Sequence, residues 1–207
     1  MKNTILSSLI FGIIYSTQAL ANEKIDLNDS YAASTLQVVS IKNGVGSIQV
    51  EVADITSIEV KVAVESTTSY FFFESDISTA KLVATTTNGE LTLEVPVQDS
   101  EQNWLVRLPK HLALNIDLGV GDANVANISQ DLAVNVGVGE FSATVEQTNF
   151  KSLTADVGVG GVSLSGFTNS ENESHLVGNN AEISGDGQST LEVDVGVGEI
   201  NLKNQRK

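Results

Sequence analysis

Cysteine is absent from the 207 residues, which rules out disulfides, thiol chemistry and lipid attachment through cysteine. Without cross-links, stability has to come from packing and from backbone hydrogen-bond ladders. Proline occurs only twice and aromatic residues make up 5% of the chain. Past the first 21 residues no stretch of helical period has a useful length, which points away from an α-helical domain. Basic residues are scarce, 11 against 26 acidic ones, for a formal charge of −15. That balance repels nucleic acid and anionic membrane surfaces and favours solubility.

The first 21 residues read as a secretory signal. Lys2 supplies the positive start, Ile5 to Tyr15 is mostly apolar, and Ala19-Leu20-Ala21 is a small-x-small cleavage site before Asn22. The apolar run is short for a bilayer span, and no second run of that kind follows, so membrane insertion is not expected. Removing 21 of the 207 residues leaves 186, enough for one domain with a long core. The expected organisation is signal 1–21, a loosely held polar lead-in 22–34, a repeat domain 35–203 and a basic tail 204–207.

What the chain has in abundance is a recurring tripeptide. Gly-Val-Gly stands at 119–121, 137–139, 158–160 and 196–198, with a degenerate copy at Gly178-Asn179-Asn180. Asn is the residue best able to replace Gly in left-handed backbone. The first glycines are therefore 18, 21, 20 and 18 residues apart, a step that marks stacked repeats. Before each glycine, large apolar residues fall at every second position, as in Leu112, Leu114, Ile116, Leu118 and Val120, or Leu191, Val193, Val195 and Val197. Period two is the mark of a half-buried strand. Beyond the tripeptide the alternation resumes out of phase, at Phe141, Ala143 and Val145 or at Ile200 and Leu202. Such a slip at glycine is what a bulge or corner does to a strand. Each repeat thus reads as strand, glycine corner, strand, turn.

Upstream, Leu36 to Ile41 and Ile48 to Val52 alternate around Asn43-Gly44-Val45-Gly46, an isolated early copy of the tripeptide or a tight turn. Ile58, Val60, Val62 and Val64 make a further strand. Lys81 to Thr87 and Leu91 to Val95 flank Asn88-Gly89, a hairpin signal. Trp104 to Leu108 is a strand closed by Pro109, which cannot continue a central ladder. The expected fold is all-β, a single-domain parallel β-solenoid (β-helix-like) with coils of about 18–21 residues, the flanking valines filling its interior. A meander or sandwich of hairpins is the alternative.

From Leu105-Val106-Arg107-Leu108-Pro109 through the Gly-Val-Gly repeats, the sequence resembles the bacterial putative-adhesin family of β-strand-repeat proteins, a domain of unknown function. The pattern covers residues 35 to 203. The resemblance implies a parallel β-solenoid-like fold and an envelope location, and it implies little about activity.

Candidate chemistry is sparse. The residue two before each first glycine is Asp117, Asn135, Asp156, Leu176 and Asp194 in turn. Stacked in chain order, no two of these aspartates are neighbours, so the column reads as a solvated face in preference to a calcium ladder. Asp122 and Glu140 are adjacent in a second column, which Gly161 and Ala181 break. The glycines lack the third glycine and following helix of a phosphate loop. His111 and His175 are more than three repeats apart, and no hydrolase motif accompanies them. Catalytic, cofactor-binding and metal-ligating residues are therefore all expected to be none. The run Tyr70-Phe71-Phe72-Phe73 reads as a cap on the core or as a sticky patch.

These features point to an exported, non-enzymatic β-repeat protein, an adhesin or an envelope binding or scaffold protein. Its expected partner is an unidentified protein or glycan of the cell envelope, and its expected location is periplasmic or extracellular. A polysaccharide-active β-helix enzyme using Asp117, Asp156 and Asp194 is the competing class.

Overall fold

The computed structural model describes residues 23–67, 76–168 and 177–205. The signal segment 1–21, the Tyr70–Phe73 run, Leu176, His175 and the last two residues lie outside them. The strands, in chain order, are β1 (Lys24–Ala32), β2 (Val38–Ala53), β3 (Ser57–Ser66), β4 (Val83–Thr87) and β5 (Glu90–Glu94). Then come β6 (Ser100–Pro109), β7 (Ala113–Ile128), β8 (Leu132–Val145), β9 (Phe150–Ser165), β10 (Val177–Gly178), β11 (Asn180–Ser184) and β12 (Ser189–Asn204). A single 3₁₀ turn, Gln147–Asn149, interrupts them among the described residues. No helix there is long and apolar enough to cross a membrane.

All twelve strands belong to one sheet, with the main order β1-β3-β6-β2-β7-β8-β12-β9-β10. The all-β expectation holds, but the sheet is mixed. The pairs β2–β7, β7–β8, β8–β12 and β12–β9 are parallel, while β1–β3, β3–β6, β4–β5 and β9 with β10 and β11 are antiparallel. The order also departs from a coil that simply stacks repeat on repeat. β12, last in the chain, enters between β8 and β9.

The tripeptide is a corner within each long strand, not a break between two strands. Inward side chains before it stack as Ile41, Ile116, Val134, Val193 and Ala155 across β2, β7, β8, β12 and β9. After it they stack as Ile48, Ala123, Phe141, Ile200 and Val162. Both sets belong to one buried cluster, so the two arms of each strand close on a shared core. Small Ala123 beside large Phe141 keeps that layer filled. The hairpin at Asn88-Gly89 forms as the sequence indicates, with φ of 52° and 83° at its two residues.

Three expectations are corrected. The lead-in is not loose: residues 24–32 form β1, aligned antiparallel along β3, with Ile25, Leu27 and Tyr31 packed against the core. Gly44-Val45-Gly46 is a copy of the tripeptide and not a tight turn, but it is not isolated: it forms a full rung inside the 16-residue β2, with Val45 opposite Val120. The degenerate copy at 178–180 does not stack in parallel. It runs backwards along β9, pairing Asn180 with Asp156 and Gly178 with Val162, so it bridges the β9 corner with a shorter path.

The first rung carries the one polar residue in its inward column. Asn43 aligns with Leu118, which in turn aligns with Val136. It sits where β2 changes partner on one side, from β5 at residue 42 to β6 at residue 46. There its Nδ2 donates to the Gln102 carbonyl at 3.0 Å. Gln102 Nε2 donates to the Val95 carbonyl at 3.0 Å, and Trp104 Nε1 donates to Gln102 Oε1 at 3.3 Å. Asn43 Oδ1 is buried without a protein partner. Asn43→Ala is expected to cost about 0.5–1.5 kcal/mol, because it removes a buried hydrogen bond to the Gln102 carbonyl. Thermal unfolding would measure it, and an unchanged midpoint would show that water reaches that carbonyl.

Candidate functional site

The outermost feature of the corner is its valine. The strand phase slips within the tripeptide, so Leu118 and Ala123 both point inward while Val120 points out. The valines were expected to fill the interior; instead they are exposed. Val45, Val120, Val138 and Val197 are 44–47% exposed and Val159 is 66% exposed. They align across β2, β7, β8, β12 and β9 as one column. Val159 is the most exposed; its one parallel neighbour is Val197, and the reversed strand beyond it bridges the corner. At a strand spacing of about 4.8 Å, five rungs make a ridge roughly 19 Å long.

Glycine makes the ridge protrude. On either side of each valine the backbone carries no side chain, and at every corner glycine but Gly44 the neighbouring backbone approaches so closely that none would fit. A Cβ on Gly139 would stand 1.7 Å from the Gly121 carbonyl oxygen, and φ there is 146°. The valine column therefore rises between two glycine troughs.

Charge lines both margins. Two residues before the first glycine the column runs Lys42, Asp117, Asn135, Asp194 and Asp156 in sheet order. One residue after the second glycine it runs Ser47, Asp122, Glu140, Glu199 and Gly161. The insertion of β12 changes what chain order implied. Asp194 and Asp156 are direct neighbours, and Asp122, Glu140 and Glu199 form an unbroken run. Adjacent carboxylates at rung spacing repel by about 1 kcal/mol in water and about 3 kcal/mol at an effective dielectric near 20. These side chains are exposed, so the lower figure applies. Local hydrogen bonds hold some of them. Glu140 Oε1 accepts from Asn201 Nδ2 at 2.8 Å, and Asp122 Oδ1 accepts from the Glu140 amide at 3.3 Å.

Beside the ridge, on the outer face of the first arm, lies an open groove of about 320 Å³. Ala133 is small enough to leave the hollow, and Lys42, Asn115, Asp117, Asn135 and Asp194 stand around it. Asn115 Nδ2 donates to Ser40 Oγ at 3.1 Å. Lys42 makes no ion pair among the described residues, although Asp117 is its register partner.

The other sequence candidates do not converge. His111 is exposed, with Nε2 3.2 Å from the Ala33 carbonyl oxygen. Among the described residues no three His, Asp or Glu side chains are grouped as a metal site requires. Asp156 and Asp194 adjoin, but Asp117 is separated from them by Asn135. Sequence reading found the residues of the ridge and missed their exposure. The signal was available in the five-residue step from Leu118 to Ala123, where the apolar phase changes.

No family model and no curated protein matches the chain. Among solved structures, the fold is similar to a putative cell adhesion protein from Clostridium sporogenes, at 14% identity and a TM-score of 0.50. That match covers 89% of this chain and 100% of the other. At this identity the likeness concerns the fold alone. Matches to putative adhesins from Parabacteroides merdae (11% identity, TM-score 0.27, 65% and 62% covered) and Bacteroides fragilis (11%, 0.25, 87% and 97%) are too distant to build on.

Proposed function

We propose that this chain is an exported, non-enzymatic β-solenoid-like protein that binds an envelope or surface component through its valine ridge, in the manner of an adhesin. The regular exposed ridge carries the reading. Catalysis needs unlike groups converging on one point, whereas the outward side chains here repeat from rung to rung. A monomeric soluble protein rarely displays an ordered apolar surface without using it for contact. The secretory pattern at residues 1–21 and the cell-adhesion designation of the Clostridium sporogenes neighbour agree with export and contact, and the location is periplasmic or extracellular.

The test combines fractionation with binding. The chain is expected in the exported fraction, starting at Asn22, and the purified protein is expected to bind whole cells or isolated envelope. Val120→Ser, Val138→Ser and Val197→Ser together should reduce that binding at least ten-fold. Retention of the protein in the cytoplasm, or binding indifferent to the three substitutions, would defeat the reading.

A further inference from the structure

Resting on that reading, we infer that the occupant of the ridge is a cationic amphipathic helix of a partner protein. Three features of the surface specify it. The valines supply an apolar line about 19 Å long with a repeat of about 4.8 Å. A helix laid along it repeats every 5.4 Å, so roughly three and a half turns, or about 13 residues, cover the ridge, slipping by only about 0.6 Å per rung and reaching about half a repeat at its far end. An extended strand in the same direction returns a side chain to one face only every 6.6 Å or so, and falls out of step after one or two rungs. The glycine troughs beside the valines receive the rows of side chains that border a helix's apolar stripe, as ridges pack into grooves.

Charge sets the second requirement. Asp117, Asp194 and Asp156 line one margin and Asp122, Glu140 and Glu199 the other, with Lys42 at the far end. A helix with Lys or Arg on both flanks of an apolar stripe places cations over both margins and relieves the repulsion within each. The groove at Ala133 lies on the outer face of the first arm, beside the aspartate margin; Asp117, Asp194 and Glu192 on its wall outnumber Lys42, so its Asp194 side suits one long basic side chain. A second copy of this chain is the wrong occupant. Its charge is −15, and its ridge would bring acid against acid.

Fluorescence anisotropy with three labelled 14-residue peptides tests the inference on the purified protein. One is a Leu/Lys amphipathic helix, one a scramble of the same composition, and one the Leu/Glu counterpart. The amphipathic cationic peptide is expected to bind at least ten-fold more tightly than the scramble, and the acidic peptide not at all. Asp122→Asn with Glu140→Gln and Glu199→Gln should weaken binding at least ten-fold and flatten its salt dependence. Val120→Ser with Val138→Ser and Val197→Ser should abolish the preference over the scramble while leaving thermal unfolding unchanged. Equal binding of helix and scramble, or none of either, overturns the inference. So does sedimentation as a dimer that the valine substitutions dissociate. If cells or envelope still bind through the ridge while the cationic helix does not, the partner chemistry falls and the binding function stands.

Discussion

Gly139→Ala is expected to destabilise the protein by about 3 kcal/mol, the upper end of the cost of forcing a side chain into strained backbone. Two effects combine at this position. The backbone has φ of 146°, which L-residues with a Cβ avoid, and the new methyl would stand 1.7 Å from the Gly121 carbonyl oxygen. That oxygen belongs to the adjoining strand's corner, so relief requires β7 and β8 to separate where they are most tightly apposed. For a chain of this size the loss lowers the unfolding midpoint by roughly 6–12 °C. Gly44→Ala is the internal control. Nothing lies within 4 Å of a Cβ there, and the change should stay within about 0.5 kcal/mol. Equal midpoints for the two variants would mean that the corners are not packed against one another.

Phe141→Ala is expected to cost about 3–5 kcal/mol. Phe141 is fully buried and lies between Ala123 on β7 and Ile200 on β12. Because one neighbour is already alanine, truncation leaves a hollow that no adjacent side chain can fill. Chemical denaturation should show the loss in the midpoint with the slope unchanged. A cost below about 1 kcal/mol would place Phe141 outside the layer shared by the two arms. Val138→Ala, at the centre of the β8 corner three residues before Phe141, should be nearly silent, since its side chain already faces water.

Much of this architecture was legible in the residues. Alternation in Leu112 to Leu118 and in Ile58 to Val64, the Asn88-Gly89 hairpin and the equivalence of the Gly-Val-Gly copies all follow from period and turn chemistry, and all appear in the fold. The direction of the valines did not follow. Period two carried Val120 to the core face, whereas the extended corner at Gly119 to Gly121 spends an extra residue and turns it outward. The neighbour order was also hidden. Repeat spacing says that copies are equivalent, but not that β12 pairs with both β8 and β9. That single insertion turned a column of separated aspartates into the Asp194–Asp156 pair, and it extended Asp122 and Glu140 to Glu199. The first strand escaped notice because Asp26, Asn28, Asp29 and Ser30 face solvent on a sheet edge, where polar residues suppress unwanted pairing.

The absence of cysteine allows a direct test of the stacking itself. Parallel neighbours in a sheet lie about 4.8 Å apart, within reach of a disulfide, whereas strands with one between them lie near 9.6 Å, beyond the roughly 7 Å limit. Cysteines at Val138 and Val197 are therefore expected to cross-link rapidly under mild oxidation, as register partners on β8 and β12. Cysteines at Val138 and Val159, consecutive repeats in the chain but separated by β12 in the sheet, are expected to stay reduced in the monomer. Rapid closure of the 138–159 pair, with 138–197 left open, would contradict the valine column as described.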